Sequence, residues 1–275
     1  MKPQREILLK EKSLMNKVEQ LRERFRKNLR QTTEGSATIP WKDFSMELFQ
    51  FQARANPVYR KFVELMGVEP SAVKSIEEIP FLPVELYQKQ RISVFQNSAF
   101  DAHCFASSGT TGSSPSLHPV DDLDWYDEVA FEGFARLVVS WSQSPIFIGL
   151  LPGYLERNNS SLVHMVQSFM IKANQSNPED WFFLREFEAL EMELTRLHET
   201  GFPKDRPIYI IGVTHALLAW VEHLKRNGQS PAWLDLSIRV IETGGMKGQG
   251  KERIRTELHE ELSLLTRGRS VGSEY

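Results

Sequence analysis

From Pro145 onward the chain alternates short apolar runs with longer stretches of helical period, and this alternation constrains the fold more than any other feature. Ile146–Leu151, Ile208–Ile211 and Ile238–Ile241 are rich in β-branched residues and nearly free of polar ones. Runs of that length and composition read as strands buried on both faces. Ser161–Ile171, Glu186–Glu199, Ala216–Lys225 and Lys251–Leu265 carry apolar residues at helical spacing. Trp181–Leu184 reads as a minor strand, and Arg269–Val271 as the opening of one more. Strands separated by helices predict an α/β fold: a mostly parallel sheet flanked by helices.

The first half reads as helical. In residues 1–38, Met15, Val18, Leu21, Phe25 and Leu29 recur three and four apart among Lys, Arg, Glu and Gln. This predicts a helix with one apolar stripe, resting on the body rather than forming a coiled-coil seam. A second helix should carry Phe44, Leu48, Phe49, Phe51 and Ala53, with Asn56-Pro57 as punctuation before a third bearing Val58, Phe62, Leu65 and Met66. The segment Ile79-Pro80-Phe81-Leu82-Pro83-Val84 is fixed by its prolines as extended chain and should lie across a core. Asp121 and Asp122 mark another helix start, with Trp125, Val129, Phe131, Phe134, Leu137 and Val138 as a broad apolar face. The expected organisation is a helical extension over 1–38 and a main domain over 39–275, in which 39–100 is a helical lead-in and 101–275 the α/β part.

Composition removes several functional classes. A length of 275 residues allows a sizeable core. The net charge of −3 gives no electrostatic case for nucleic acid or an anionic membrane. One cysteine, Cys104, cannot form an internal disulfide, and the seven histidines show no metal-ligand spacing, so no metal residue is assigned. No apolar run reaches membrane-spanning length and the N-terminus lacks an apolar signal core, so a cytoplasmic protein with no membrane span is expected.

The chemistry concentrates in Phe105–Val120. Between Ser107 and Ser116 its only apolar side chain is Pro115. Ser107, Ser108, Gly109, Thr110, Thr111 and Gly112 suit a concave turn whose backbone N–H groups and hydroxyls cradle a polyphosphate. The phosphate-loop pattern ending Gly-Lys-Ser/Thr is absent, so a cation must come from elsewhere; Arg157 and Lys247 are the candidates, each open to an ordinary surface or helix-start role. A flexible Ser/Gly linker is the competing reading of the loop. His118, at the loop's end, could touch a phosphate or a carboxylate, or serve as a cap or core residue. Cys104 could accept an acyl group, but as a small hydrophobe it is expected to be buried and inert. In open parallel sheets ligands bind beyond the carboxyl ends of the strands. The segments Pro152–Ser160, Gly212–His215, Glu242–Lys247 and Gly272–Tyr275 follow the strands, are polar or glycine-rich, and form a candidate rim. No G-x-S-x-G elbow is present, which disfavours a serine hydrolase.

Ser-Ser-Gly-Thr-Thr-Gly at 107–112 closely resembles the phosphate loop of the adenylate-forming ligases, and Ser116-Leu117-His118 narrows the resemblance to their acyl-protein synthetase (LuxE-like) branch. Asn56-Pro57-Val58-Tyr59, Pro80-Phe81-Leu82-Pro83 and Leu155-Glu156-Arg157-Asn158-Asn159-Ser160-Ser161 are similar to that branch, and the likeness spans about residues 44 to 275. The resemblance implies the fold of that family's N-terminal domain. It also implies activation of a carboxylic acid, in this branch a fatty acid, with ATP and Mg²⁺ as acyl-adenylate, then transfer to an acceptor such as an acyl-accepting protein. By the same resemblance, residues 107–112 hold phosphates, and Thr243, Gly244, Gly245 and Tyr275 contact adenine. Gly153, Tyr154, Gly212, Val213 and Thr214 line the acyl pocket, and His118 and Lys247 are the catalytic candidates.

In that family a Gly-x-Thr-Glu motif follows the tyrosine matched by Tyr275. The Mg²⁺-holding Thr-Glu pair, a ribose-binding Asp and a catalytic Lys would thus fall after Tyr275. The expectation is that residues 1–275 bind nucleotide but do not complete adenylation, unless Glu242 or Glu274 holds the metal. The rival function is a nucleotide- or acyl-binding protein that keeps the fold as an interaction module.

Overall fold

A computed structural model describes residues 2–33, 41–107, 114–152, 158–228, 230–244, 255–268 and 271–273, with side chains of the first helix described for 11–30. The chain divides into two compact units, Met1–Asp122 and Leu123–Tyr275.

The first unit opens with α1 (Lys2–Thr33), α2 (Trp41–Ala55) and α3 (Pro57–Leu65). The expected stripe of α1 is real at Leu21, which is buried, and at Phe25, whose ring lies 5.6 Å from Trp41 and 5.8 Å from Phe44; Met15, by contrast, is exposed. Opposite charges support the α1–α2 contact, with Lys17 and Arg24 both pairing with Glu47. Asn56 explains the break between α2 and α3: its side chain accepts from the Tyr59 amide, and Pro57 occupies the first turn, where no N–H is needed. Phe49, Ala53, Val63 and Val73 form a small core with Phe62 and Tyr59 around it.

The proline segment departs from expectation. Only Ile79 reaches this core, while Phe81 and Val84 are 74% and 65% exposed. The cause is local: after Pro83 the backbone turns into a 3₁₀ helix (Val84–Gln88), so the segment does not run straight across the cluster. An antiparallel hairpin follows, β1 (His103–Ala106) with β2 (Leu117–Val120). Successive strand residues face opposite ways. Phe105 takes the inside position at 3% exposure, and its neighbour Cys104 is left exposed, which overturns the expectation of a buried thiol.

The second unit is an α/β layer structure. Its order is α4 (Leu123–Leu137), β3 (Ile146–Leu150), α5 (Ser161–Lys172), α6 (Phe187–Glu199), β4 (Ile208–Gly212), α7 (Thr214–Asn227), β5 (Ile238–Glu242), α8 (Arg255–Leu262) and β6 (Gly272–Ser273). The sheet runs β3-β4-β5-β6 with every pairing parallel. Both faces are covered. Ile146, Ile148, Ile208, Ile210, Ile238 and Val240 pack with Leu190, Leu194, Leu217, Trp220 and Leu262 of α6, α7 and α8. Phe147, Tyr209 and Ile211 pack on the other side with Val163, Val166 and Phe169 of α5 and with Phe131 and Phe134 of α4. The period-two division of each strand between two apolar layers explains why β3 and β4 are buried at every position. Each fully buried Phe, Leu, Ile or Val side chain here contributes about 1.5–3 kcal/mol relative to exposure.

Three expectations shift here. Leu137 is 86% exposed and Val138 also faces outward, because the helix ends there and Val139 fills the space beside the aromatic cluster. Trp181–Leu184 is not a strand: a 3₁₀ turn ends at Trp181, and Phe182 makes a single bridge with Gly149. Its ring occupies the space that a Cβ on Gly149 would need, which leaves room for one contact but no ladder. The further strand expected to open at Arg269–Val271 is Gly272–Ser273, paired at Ile241 and Glu242; Val271 precedes it, and residues 269 and 270 lie outside the described residues.

Candidate functional site

In the first unit, the hydroxyl-rich loop is bounded by a closed neck. The Ser107 amide donates to the Ser116 carbonyl at 2.9 Å, and the Ser116 amide donates to Ser107 Oγ at 3.0 Å. The first of these bonds carries the β1–β2 pairing one step beyond Ala106 and Leu117, and the second closes it through a side chain. Within the neck Ser107 Oγ acts as acceptor, and the bond does not use its own hydroxyl hydrogen. Ser108, Gly109, Thr110, Thr111 and Gly112 lie outside the described residues.

His118 sits two residues past the neck, opposite Phe105 in the hairpin register. Its ring stacks on Tyr87 at 4.5 Å between centroids. Burial lowers its pKa below the ordinary value of 6.5, because the imidazolium loses hydration without gaining a counter-charge. At neutral pH the ring is therefore uncharged and offers one donor and one acceptor. Ahead of β1, Arg91 binds both oxygens of Asp101, at 2.7 and 2.5 Å, and the Phe95 carbonyl at 3.0 and 3.2 Å. That double attachment fixes the chain entering the hairpin.

In the second unit, the carboxyl ends of β4, β5 and β6 converge on one buried carboxylate. Glu242 is 5% exposed. Its Oε1 accepts from the Thr214 hydroxyl and, at 2.6 Å, from the Gly244 amide; its Oε2 accepts from the Ser273 hydroxyl at 3.1 Å. Ser273 Oγ accepts in turn from Arg255 at 3.0 Å. The sheet ladder runs one step further, with the Thr243 amide donating to the Gly212 carbonyl at 3.0 Å, and the Thr214 amide then donates to the Gly244 carbonyl at 3.0 Å. Gly244 has φ of +74°, which disfavours any residue with a side chain.

The structure thus brings together Gly212, Thr214, Thr243 and Gly244 from the expected rim. Val213 lies between them, partly buried against both apolar layers. Gly212 is packed rather than open: a Cβ there would stand 2.9 Å from Leu150 Cβ and 3.1 Å from Leu217 Cγ. Gly153, Tyr154, Arg157, Gly245, Lys247 and Tyr275 lie outside the described residues. Glu242 and Ser273 fall within two of the expected rim segments, but Ser273 was given no role of its own and Glu242 only that of a possible metal holder, not of the group at the centre. The available signal was a lone acidic residue closing the otherwise apolar end of Ile238–Glu242.

A second polar cluster has the composition of a hydrolytic triad without its geometry. His164 Nε2 lies 3.0 Å from Asp127 Oδ1 and 3.5 Å from Ser168 Oγ, and Ser168 donates to Asp127 Oδ2 at 3.1 Å. A relay needs the serine on one ring nitrogen and the carboxylate on the other. Here both contact the same nitrogen, and the cluster ties α5 to α4. Among the described residues no three His, Cys, Asp or Glu side chains gather as a metal-holding group, so no Mg²⁺ ligand is assigned to them. No helix among them is long and apolar enough to cross a membrane.

Comparison with protein-family models, with curated proteins and with solved structures finds no match to this chain.

Proposed function

We propose that this chain belongs to the adenylate-forming type, in its acyl-protein synthetase (LuxE-like) branch, and binds ATP to activate a carboxylic acid, with a fatty acid as the expected substrate. The observation that carries this reading is the neck at Ser107 and Ser116, which bounds the Ser-Ser-Gly-Thr-Thr-Gly run with one backbone hydrogen bond and one from an amide to a side-chain hydroxyl. A linker would not be closed by its flanking residues in this way. The α/β unit with glycine-bearing turns at the ends of β4 and β5 supports the reading, since such ends are where parallel sheets take ligands.

In the proposed reaction a carboxylate oxygen attacks the α-phosphorus of ATP. The bond from that phosphorus to the pyrophosphate leaving group breaks, giving acyl-AMP. A thiol or hydroxyl acceptor then takes the acyl group and AMP leaves. The chain's expected contribution is positional and electrostatic: by the resemblance, residues 107–112 would serve the phosphates, Thr243, Gly244, Gly245 and Tyr275 the base, and Gly153, Tyr154, Gly212, Val213 and Thr214 the acyl chain. Neutral His118 offers a hydrogen bond to a phosphate or the acid, and Lys247 a cation. Mg²⁺ would arrive with ATP and offset phosphate charge.

Titration calorimetry with ATP and Mg²⁺ tests the binding step. Gly109→Val should weaken affinity by about tenfold or more, equivalent to about 1.4 kcal/mol, while Ser114→Ala changes little. Unchanged affinity in Gly109→Val, or no binding by the wild type, refutes the loop assignment. Acid-dependent exchange of labelled pyrophosphate into ATP, across short to long fatty acids, tests the chemistry. Binding without exchange for any acid identifies a nucleotide-binding protein that lacks the activation step.

A further inference from the structure

Glu242 is a buried charged group in the second unit: a carboxylate at 5% exposure at the end of a central strand, with no cation paired to it among the described residues. Burying a carboxylate is costly unless its lone pairs are filled. Here three donors from three separate segments are hydrogen-bonded to it: the first residue of α7 and the residue Gly244 after β5 on Oε1, and β6 on Oε2. An ionised carboxylate only accepts, which suits a position where every neighbour donates.

The arrangement argues against a metal role for the same side chain. A divalent cation takes lone pairs from open oxygens and normally keeps some of its own water. Both oxygens of Glu242 face O–H or N–H hydrogens instead, and a cation would have to displace them in a buried space.

The geometry points to Glu242 as the positioning residue of the rim: it fixes the Thr243-Gly244 turn and ties it to α7 and β6, so that the turn can receive a nucleotide. This inference rests on the nucleotide-binding reading above. The sheet does not dictate the shape of that turn, because the ladder ends where the Thr243 amide meets the Gly212 carbonyl. Beyond it, Gly244 is held on one side by the hydrogen bond its N–H donates to Glu242 and on the other by its carbonyl, which accepts from the Thr214 amide. Without Glu242 the Gly244 amide and the 2%-exposed Thr214 lose their acceptor, and the left-handed conformation at Gly244 loses its clamp.

The test is ATP affinity by titration calorimetry on the full chain, with thermal melting alongside. Glu242→Gln keeps an oxygen for Thr214 and Gly244 and removes the charge, so it should bind within about threefold of wild type. Glu242→Ala should weaken binding about tenfold or more, the consequence of two unsatisfied donors at the turn. Leu197→Ala, a core truncation in α6 away from the rim, should lower the melting temperature with ATP affinity unchanged; a merely structural role for Glu242 predicts the same pattern for Glu242→Ala. Should Glu242→Ala fail to fold, Thr214→Val breaks one tether with the carboxylate in place and should weaken binding about threefold or more. Wild-type affinity in Glu242→Ala or Thr214→Val overturns the inference, and so does equal loss in Glu242→Gln and Glu242→Ala, which would assign the role to the charge. A wild type that binds no ATP overturns the parent reading and this inference together, a result distinct from normal binding by the variants.

Discussion

Replacing Gly212 by alanine separates two views of the rim. The family resemblance puts this glycine beside an acyl pocket, where a methyl group would meet open space. The structure puts it against Leu150, its register partner on β3, and against Leu217 at the start of α7. The new Cβ would stand 2.9 Å from Leu150 Cβ and 3.1 and 3.2 Å from Leu217 Cγ and Cδ2. Leu217 can rotate away in part, but a Cβ moves only with its backbone, so β3 and β4 must separate slightly. Overpacking of this type costs about 1–3 kcal/mol. Alanine is intrinsically better than glycine within a strand by about 0.5–1 kcal/mol, which offsets part of the cost. Taking the midpoints, the net loss is about 1.3 kcal/mol, or roughly 2.5–5 °C in melting temperature for a unit of this size. Thermal melting followed by far-ultraviolet circular dichroism measures it. Gly149→Ala is the internal comparison: the atoms in its way are Cδ1 and Cε1 of the Phe182 ring, which can shift by side-chain rotation without moving a strand backbone, so its loss should be smaller. A melting temperature for Gly212→Ala equal to that of wild type refutes the packing account and restores the open pocket.

Two further outcomes follow from the first unit. Cys104 is exposed on β1, so a thiol reagent should label the native protein at a rate close to that of the unfolded chain; protection until unfolding would show that the outward side of the hairpin is covered. His118 has a folded-state pKa depressed by burial, so the unfolded chain binds the proton more readily. The stability this contributes is fully present above pH about 6.5 and is lost as pH falls from there through the lower folded value. His118→Phe keeps a ring on Tyr87 without a titrating group, and its melting temperature should decline less than that of wild type between pH 7 and about pH 5. Parallel declines would remove His118 from the acid response.

What the sequence determined by itself is the set of elements whose cause is local. The strands at Ile146, Ile208 and Ile238 and the helices between them were legible because a segment buried on two faces must be apolar throughout, and a covered helix must be apolar at every third or fourth position. Asn56-Pro57 marked its helix start for an equally local reason, a side-chain acceptor followed by a residue that needs no N–H. The hydroxyl and glycine run at 107–112 could be picked out because no core tolerates it, although its ligand stays a proposal.

Tertiary structure alone decided the rest. The Phe105 strand pairs with a strand beyond the loop, and long-range pairing of two four-residue strands leaves no periodic trace in either. Cys104 faces outward because Phe105 takes the inside, a choice made by register and invisible in composition. Gly212 could be read as open or packed until Leu150 and Leu217 were placed beside it. Glu242, Thr214 and Ser273 stand 28 and 31 positions apart along the chain, and only the parallel order β4-β5-β6 puts two hydroxyls within reach of one carboxylate. A single acidic residue at a strand end has many possible fates in a sequence. Its burial, and the donors that make burial tolerable, exist only once the sheet has assembled.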